Sequence, residues 1–121
     1  MANPAKRIGT EWANRCVDYF RDQGLRSDAI PQHGTRDEGD LWVQGRTTGC
    51  EVVVEAKAEK RIDLSRYMEE AAKERDAYCN ARRIDPDLVP AVALVKRRSH
   101  HVGRGYIVME LREFTNILRR F

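Results

Sequence analysis

Two β-prone runs, residues 41–44 and 50–57, stand on either side of the short polar segment Gly45-Arg46-Thr47-Thr48-Gly49. A connection this short leaves no room for a helical crossover, so the two runs must pair as an antiparallel hairpin. Side chains of the second run alternate between faces: Glu51, Val53, Glu55 and Lys57 share one, and Val52, Val54 and Ala56 share the other. The apolar face is fitted to a core, while Glu55 and Lys57 project together from the opposite side. Asp40 opens the first run in Gly39-Asp40-Leu41-Trp42, so the hairpin carries two carboxylates and an ammonium to one point. Two carboxylates suit a hard divalent cation, and a lysine beside them suits a phosphate. This is the equipment of a metal-dependent phosphodiesterase.

The rest of the chain supplies a frame for that hairpin. A helix is expected from Gly9 or Thr10 to Gln23, with Asn3-Pro4 offering an earlier start and Gly24 a natural stop. Ile8, Trp12, Cys16 and Phe20, widened by Ala13 and Val17, form its core-facing stripe. Glu11 lies next to that stripe, near the helix start, where the helix dipole favours a carboxylate. Residues 25–30 read as a short strand and 31–39 as a polar loop. Asp63 is placed to cap a second helix running to about Arg82, with Ile62 and Tyr67 as its hydrophobic staple. Leu64, Tyr67, Met68, Ala71, Ala72 and Tyr78 give that helix an apolar face. Two further strands, residues 91–95 and 106–109, flank the basic loop 96–105, and a helix over 111–121 closes the chain. The order α-β-β-β-α-β-β-α predicts an α/β fold, a central mixed β-sheet flanked by helices, in a single domain spanning residues 1–121.

Charge matters here mainly through its placement. Lys and Arg number 22 against 19 Asp and Glu, a net charge of +3 that is compatible with a nucleic-acid partner. Arg7, Arg36, Lys60, Arg61, Arg66, Lys96, Arg97, Arg98 and Arg104 are candidates for phosphate contacts, and Arg36, Lys60 and Arg61 flank the hairpin site most closely. Cys16, Cys50 and Cys79 are far apart and form no Cys-x-x-Cys pair, which excludes a disulfide framework and fits small buried side chains in a reducing compartment. His33, His100 and His101 have no zinc-site spacing. No run is apolar enough for a signal peptide or a membrane span, so a soluble, cytoplasmic protein is expected.

This element order and these residues resemble the PD-(D/E)xK nuclease superfamily, and within it the archaeal-type Holliday junction resolvases and their phage relatives. The resemblance runs over nearly the whole chain. It takes in Lys6-Arg7-Ile8-Gly9-Thr10-Glu11, the glycine-containing loop before Asp40, Glu55-Ala56-Lys57 at the end of a central strand, Val89-Pro90-Ala91-Val92-Ala93-Leu94-Val95-Lys96, and the strand around Tyr106-Ile107-Val108. Gly39 stands where the family pattern has proline, the spacing from Asp40 to Glu55 is slightly long, and the loop 96–105 exceeds a minimal version. Neither of the first two departures removes a ligand.

The resemblance implies a restriction-endonuclease-like core and a Mg²⁺-dependent, structure-selective DNA endonuclease that resolves four-way junctions by paired symmetric nicks, with Mn²⁺ as a substitute ion. It implies Asp40, Glu55 and the Ala56 carbonyl as metal ligands, a further carboxylate contact from Glu11, and Lys57 on the scissile phosphate. A homodimer in contact with branched DNA, no organic cofactor, and host cytoplasm for a phage-encoded chain follow from the same comparison. The residues alone leave other readings open: a nicking, repair or single-strand nuclease on the same fold, a noncatalytic DNA-binding protein that kept it, and an RNA substrate.

Overall fold

A helix, α1 (Pro4–Asp22), opens the computed structural model, which describes residues 4–32 and 37–120. Pro4 takes the first helical position, where its missing N–H costs nothing, so the helix begins more than a turn before Gly9. It stops at Gly24, whose φ of +83° turns the chain while the Leu25 amide bonds back to the Phe20 carbonyl at 3.0 Å.

The strands are β1 (Ser27–Ala29), β2 (Leu41–Gln44), β3 (Glu51–Lys57), β4 (Ala91–Val95) and β5 (Tyr106–Val108), with α2 (Leu64–Arg82) and α3 (Leu111–Arg120) completing the expected order. They form one sheet in the order β1-β2-β3-β4-β5. The β2–β3 hairpin is antiparallel, pairing Leu41 with Val54 and Gln44 with Glu51. β3 and β4 are parallel and joined through α2; the remaining pairs are antiparallel. All five residues of β4 are buried, as a central strand covered on both faces requires.

α1 covers one face of the sheet. Trp12, Cys16 and Val17 pack on Leu41, Val43, Val54, Ala56, Val92 and Leu94, and the Trp12 indole N–H donates to the Leu94 carbonyl at 2.9 Å. α2 covers the opposite face, with Tyr78 and Cys79 against Ile30, Val53 and Val89, and Tyr67 against Ala93 and Val95. Asp63 caps α2 as expected, accepting from the Arg66 amide at 3.1 Å. The expected staple is replaced by this deeper packing of Tyr67, which leaves Ile62 56% exposed. α3 is anchored by Glu113, buried against Arg75 at 2.8 Å, and Arg75 also donates to the Val89 carbonyl. Cys16 and Cys79 are buried and Cys50 half-buried, all three unbridged. Burial pushes the Cys16 thiol up to about 12, which keeps it an unreactive packing group. No helix among the described residues is long and apolar enough to cross a membrane.

Candidate active site

Asp40 is fixed by backbone on both sides. Its amide donates to the Val54 carbonyl at 3.0 Å, and its carbonyl accepts from the Ile30 amide at 2.9 Å, so it extends the β2 ladder by one residue. Its side-chain Oδ2 accepts from the Ala56 amide at 2.8 Å, which holds the carboxylate over the end of β3. Gly39 makes this approach possible. Its φ of +100° excludes proline, and a Cβ there would lie 2.8 Å from the Val53 methyl Cγ1. Burial raises the Asp40 pKa, the Ala56 hydrogen bond opposes it, and the nearby Asp37 carboxylate adds to the rise.

Glu55, opposite Asp40 in the hairpin register, projects from the side of β3 that α2 covers. It is 7% exposed, and its Oε2 is buried without a hydrogen-bond partner. Glu74, from the middle of α2, is 8% exposed and likewise keeps Oε2 without a partner. Asp37, Glu55 and Glu74 offer carboxylate oxygens that lie within 4.8 Å of one another. Burial, a hydrogen bond with Asp37, and the charges of Asp37 and Asp40 push the Glu74 carboxyl up to about 9. Buried carboxylate oxygens without donors are rare in folded proteins, and a hard cation is the partner they suit.

Lys57 turns to the same face one step further along β3. Its ammonium pairs with Glu70 of α2 and lies 5.2 Å from the centroid of the Tyr67 ring. Arg66 reaches the same Glu70 at 3.1 Å and also pairs with Glu59. Burial pushes the Glu70 carboxyl up, but its hydrogen bonds and charge interactions with Lys57 and Arg66 outweigh this and hold it below the usual range.

Two openings meet at Ala56. One, of about 480 Å³, is lined by Asp40, Glu55 and Ala56 with Lys6, Gly9 and Thr10 of α1 among its walls. The other, also about 480 Å³, has Lys57, Lys60 and Arg98 in its lining and shares Gly9 and Ala56 with the first. An acidic recess thus adjoins a basic one, an arrangement able to hold a cation next to a phosphate.

The structure brings Asp40, Glu55, Ala56 and Lys57 together as the sequence led us to expect. Glu11 does not join them. The wall of the recess is formed by Lys6, Thr10 and Asn14, whereas Glu11, one helical step of about 100° from Thr10, is 66% exposed and pairs with Arg7 at 3.8 Å. Among the candidate phosphate contacts, Lys60 and Arg98 line the basic recess, and Arg61 lines a neighbouring hollow with Arg66. Arg66 is already engaged by Glu59, Asp63 and Glu70, which makes it the poorest of the set. Arg97 stacks over Tyr106 at 5.6 Å, Lys96 is half-buried, and Arg7 and Arg104 are exposed. Arg36 and His33 lie outside the described residues. Glu51 is held away from the site by the Tyr78 hydroxyl and by Gln44 at 3.2 Å. Trp42 packs with Ile30, Val53 and Tyr78.

Sequence reasoning missed Asp37, Glu70 and Glu74. A signal for Glu74 was present. Tyr67, Ala71, Glu74 and Tyr78 recur at core-facing helical spacing, so an acid interrupts an otherwise apolar stripe.

No protein-family model and no curated protein sequence matches this chain. Among solved structures it is similar to Hjc of Archaeoglobus fulgidus, described as a Holliday junction resolvase from an archaeal hyperthermophile. The TM-score is 0.54 and the identity 13%, over 88% of this chain and 93% of that one. The likeness is one of fold: the chain has the α/β, restriction-endonuclease-like core of that resolvase, as its resemblance to the PD-(D/E)xK resolvases implied.

Proposed function

We propose that this protein is a divalent-metal-dependent DNA endonuclease acting on four-way junctions. The observation that carries the reading is Glu55: a carboxylate 7% exposed with an unpartnered oxygen, between Asp40 and Lys57, at the end of the central hairpin of a resolvase-type sheet. Asp40, Glu55 and the Ala56 carbonyl would hold Mg²⁺, or Mn²⁺ in its place. When bound, such an ion polarises the scissile phosphate and makes a bound water acidic enough to attack it. The chain's own groups do the rest. Asp40 and Glu55 concentrate negative charge where a cation is wanted. Lys57 stabilises the charge that develops on the phosphate, and Glu70 with the Tyr67 ring fixes the direction of its ammonium. Lys60 and Arg98 carry the backbone of the substrate past the site and give it affinity without base preference. Junction selectivity then rests on shape and deformability, and paired nicks call for two copies of the chain related by a twofold axis.

A synthetic four-way junction and its linear duplex arms, each incubated with Mg²⁺, test this reading. Wild type is expected to nick the junction symmetrically and leave the duplex intact. Asp40→Asn and Lys57→Ala are expected to bind the junction and lose nearly all cleavage. Equal cutting of both substrates replaces the junction with another DNA target, and cleavage retained in Asp40→Asn removes the metal site.

A further inference from the structure

We propose that Gly9 is the point at which the cut strand crosses α1, its bare backbone lying against the sugar beside the scissile phosphate. This path rests on the nuclease reading for the place of the scissile phosphate at Lys57, and it adds a substrate-contact residue on α1.

Gly9 lies inside the 19-residue α1, where glycine is less favourable than alanine. Neither usual reason for a glycine applies to it. Gly24, Gly39 and Gly49 have positive φ, and at Gly45, Gly103 and Gly105 a Cβ would come within 3.1 Å of a neighbouring atom. A Cβ on Gly9 would meet nothing within 4 Å, and its φ is not positive. Among the described residues it is the one glycine that neither its backbone angle nor its neighbours in the chain require. Close approach of a ligand to the backbone is the remaining use of such a residue.

The two recesses of the candidate site meet in front of Gly9. Gly9 and Ala56 are the residues that line both, one from α1 and one from β3. Each recess, at about 480 Å³, falls in the range of about 300–1,000 Å³ that encloses one small ligand. That is room for a nucleotide and not for a base-paired helix.

The walls on either side match the parts of a strand. On the basic side, Lys57, Lys60 and Arg98 suit phosphate, while Ala5, Ile8 and Ala58 offer apolar surface, with Ile8 left 40% exposed. A sugar or a base covers such surface; a free anion does not. On the acidic side, Lys6, Thr10 and Asn14 line the recess at four-residue spacing, which puts an ammonium, a hydroxyl and an amide on one face of α1. These suit the next phosphate along. The substrate chemistry that fits is a strand parted from its complement at the cut, as at a branch point.

Gly9→Ala and Gly9→Leu test the path through three measurements on the full chain: melting temperature, single-turnover cleavage of the four-way junction in Mg²⁺, and binding of a fluorescein-labelled single-stranded oligothymidylate. Gly9→Ala is expected to melt a few degrees above wild type, because alanine favours the helix. Its cleavage is nevertheless expected to fall about tenfold, and that of Gly9→Leu about a hundredfold, with oligonucleotide binding weakened in the same order. Wild-type cleavage and binding in Gly9→Leu would overturn the path. So would a lowered melting temperature in Gly9→Ala, which would make the glycine a structural requirement. A wild type that binds the oligonucleotide but cuts no DNA, with that binding lost in Gly9→Leu, would keep the strand contact and refute the nuclease reading; junction cleavage untouched by Gly9→Leu would do the reverse.

Discussion

The Lys57 ammonium and the Glu70 carboxylate meet as an ion pair that closes β3 against α2, with the Tyr67 ring beneath the lysine. Lys57 is only 11% exposed, so its direction is set by this partner more than by solvent. Removing the carboxylate in Glu70→Ala is expected to misdirect the ammonium and lower single-turnover cleavage by roughly ten- to a hundredfold. Junction affinity should stay nearly constant, and Glu70→Gln, which keeps an acceptor, should recover much of the rate. Parallel measurement of cleavage and binding checks this; an equal loss of binding would make Glu70 a structural residue only.

Glu74 couples stability to pH in the ion-free protein. Its pKa is raised from 4.5 to about 9, so the native state holds its proton more tightly than the unfolded chain does. The contribution is complete below 4.5 and is lost as pH climbs toward 9, when a charged Glu74 must face Asp37, Asp40 and Glu55 out of contact with water. Urea denaturation in chelator is expected to show stability falling by on the order of a few kcal/mol across this window. Glu74→Gln should flatten the slope, and so should saturating Mg²⁺. A stability that rises over the same interval would contradict this assignment.

Gly39 admits no side chain without strain. A methyl group in Gly39→Ala would sit 2.8 Å from Val53 Cγ1 on a backbone with φ of +100°. A loss of about 1–3 kcal/mol is expected from this overpacking and strain. Because Asp40 follows directly, cleavage should fall further than stability alone explains. Thermal melts and cleavage assays below the melting range separate the two effects.

Lys60 and Arg98 line the basic recess beside Lys57 and have no part in the acidic one. Replacing either with alanine is expected to weaken junction binding uniformly across sequences and to reduce the slope of log affinity against log salt by about one. Fluorescence anisotropy at several salt concentrations reads both quantities, and an unchanged slope would take that residue off the DNA path.

Local rules carried the sequence reading where a residue's role is decided by its neighbours. Asp63 caps α2 as expected because capping depends on the next three residues, and the hairpin register follows from a short connection and strict alternation. Glu11 was expected at the site from resemblance alone; it lies one helical step of about 100° from Thr10, exposed and paired with Arg7, outside the wall of the recess. Glu74 and Asp37 were invisible as partners because only the crossover of α2 onto the sheet brings them to Glu55. Gly39 looked like a neutral exchange, and its meaning lies in a dihedral angle that no residue pattern states.

Going down β3, Glu51 meets Tyr78, Glu55 lies by Glu74, and Lys57 meets Glu70, so strand numbers rise as helix numbers fall. These contacts are teeth of a single rack. If α2 advanced by one turn, all three pairings would be lost in the same movement, and none could be adjusted while the others stayed. A displacement of the Asp63-capped end of α2 is thereby felt at the carboxylates.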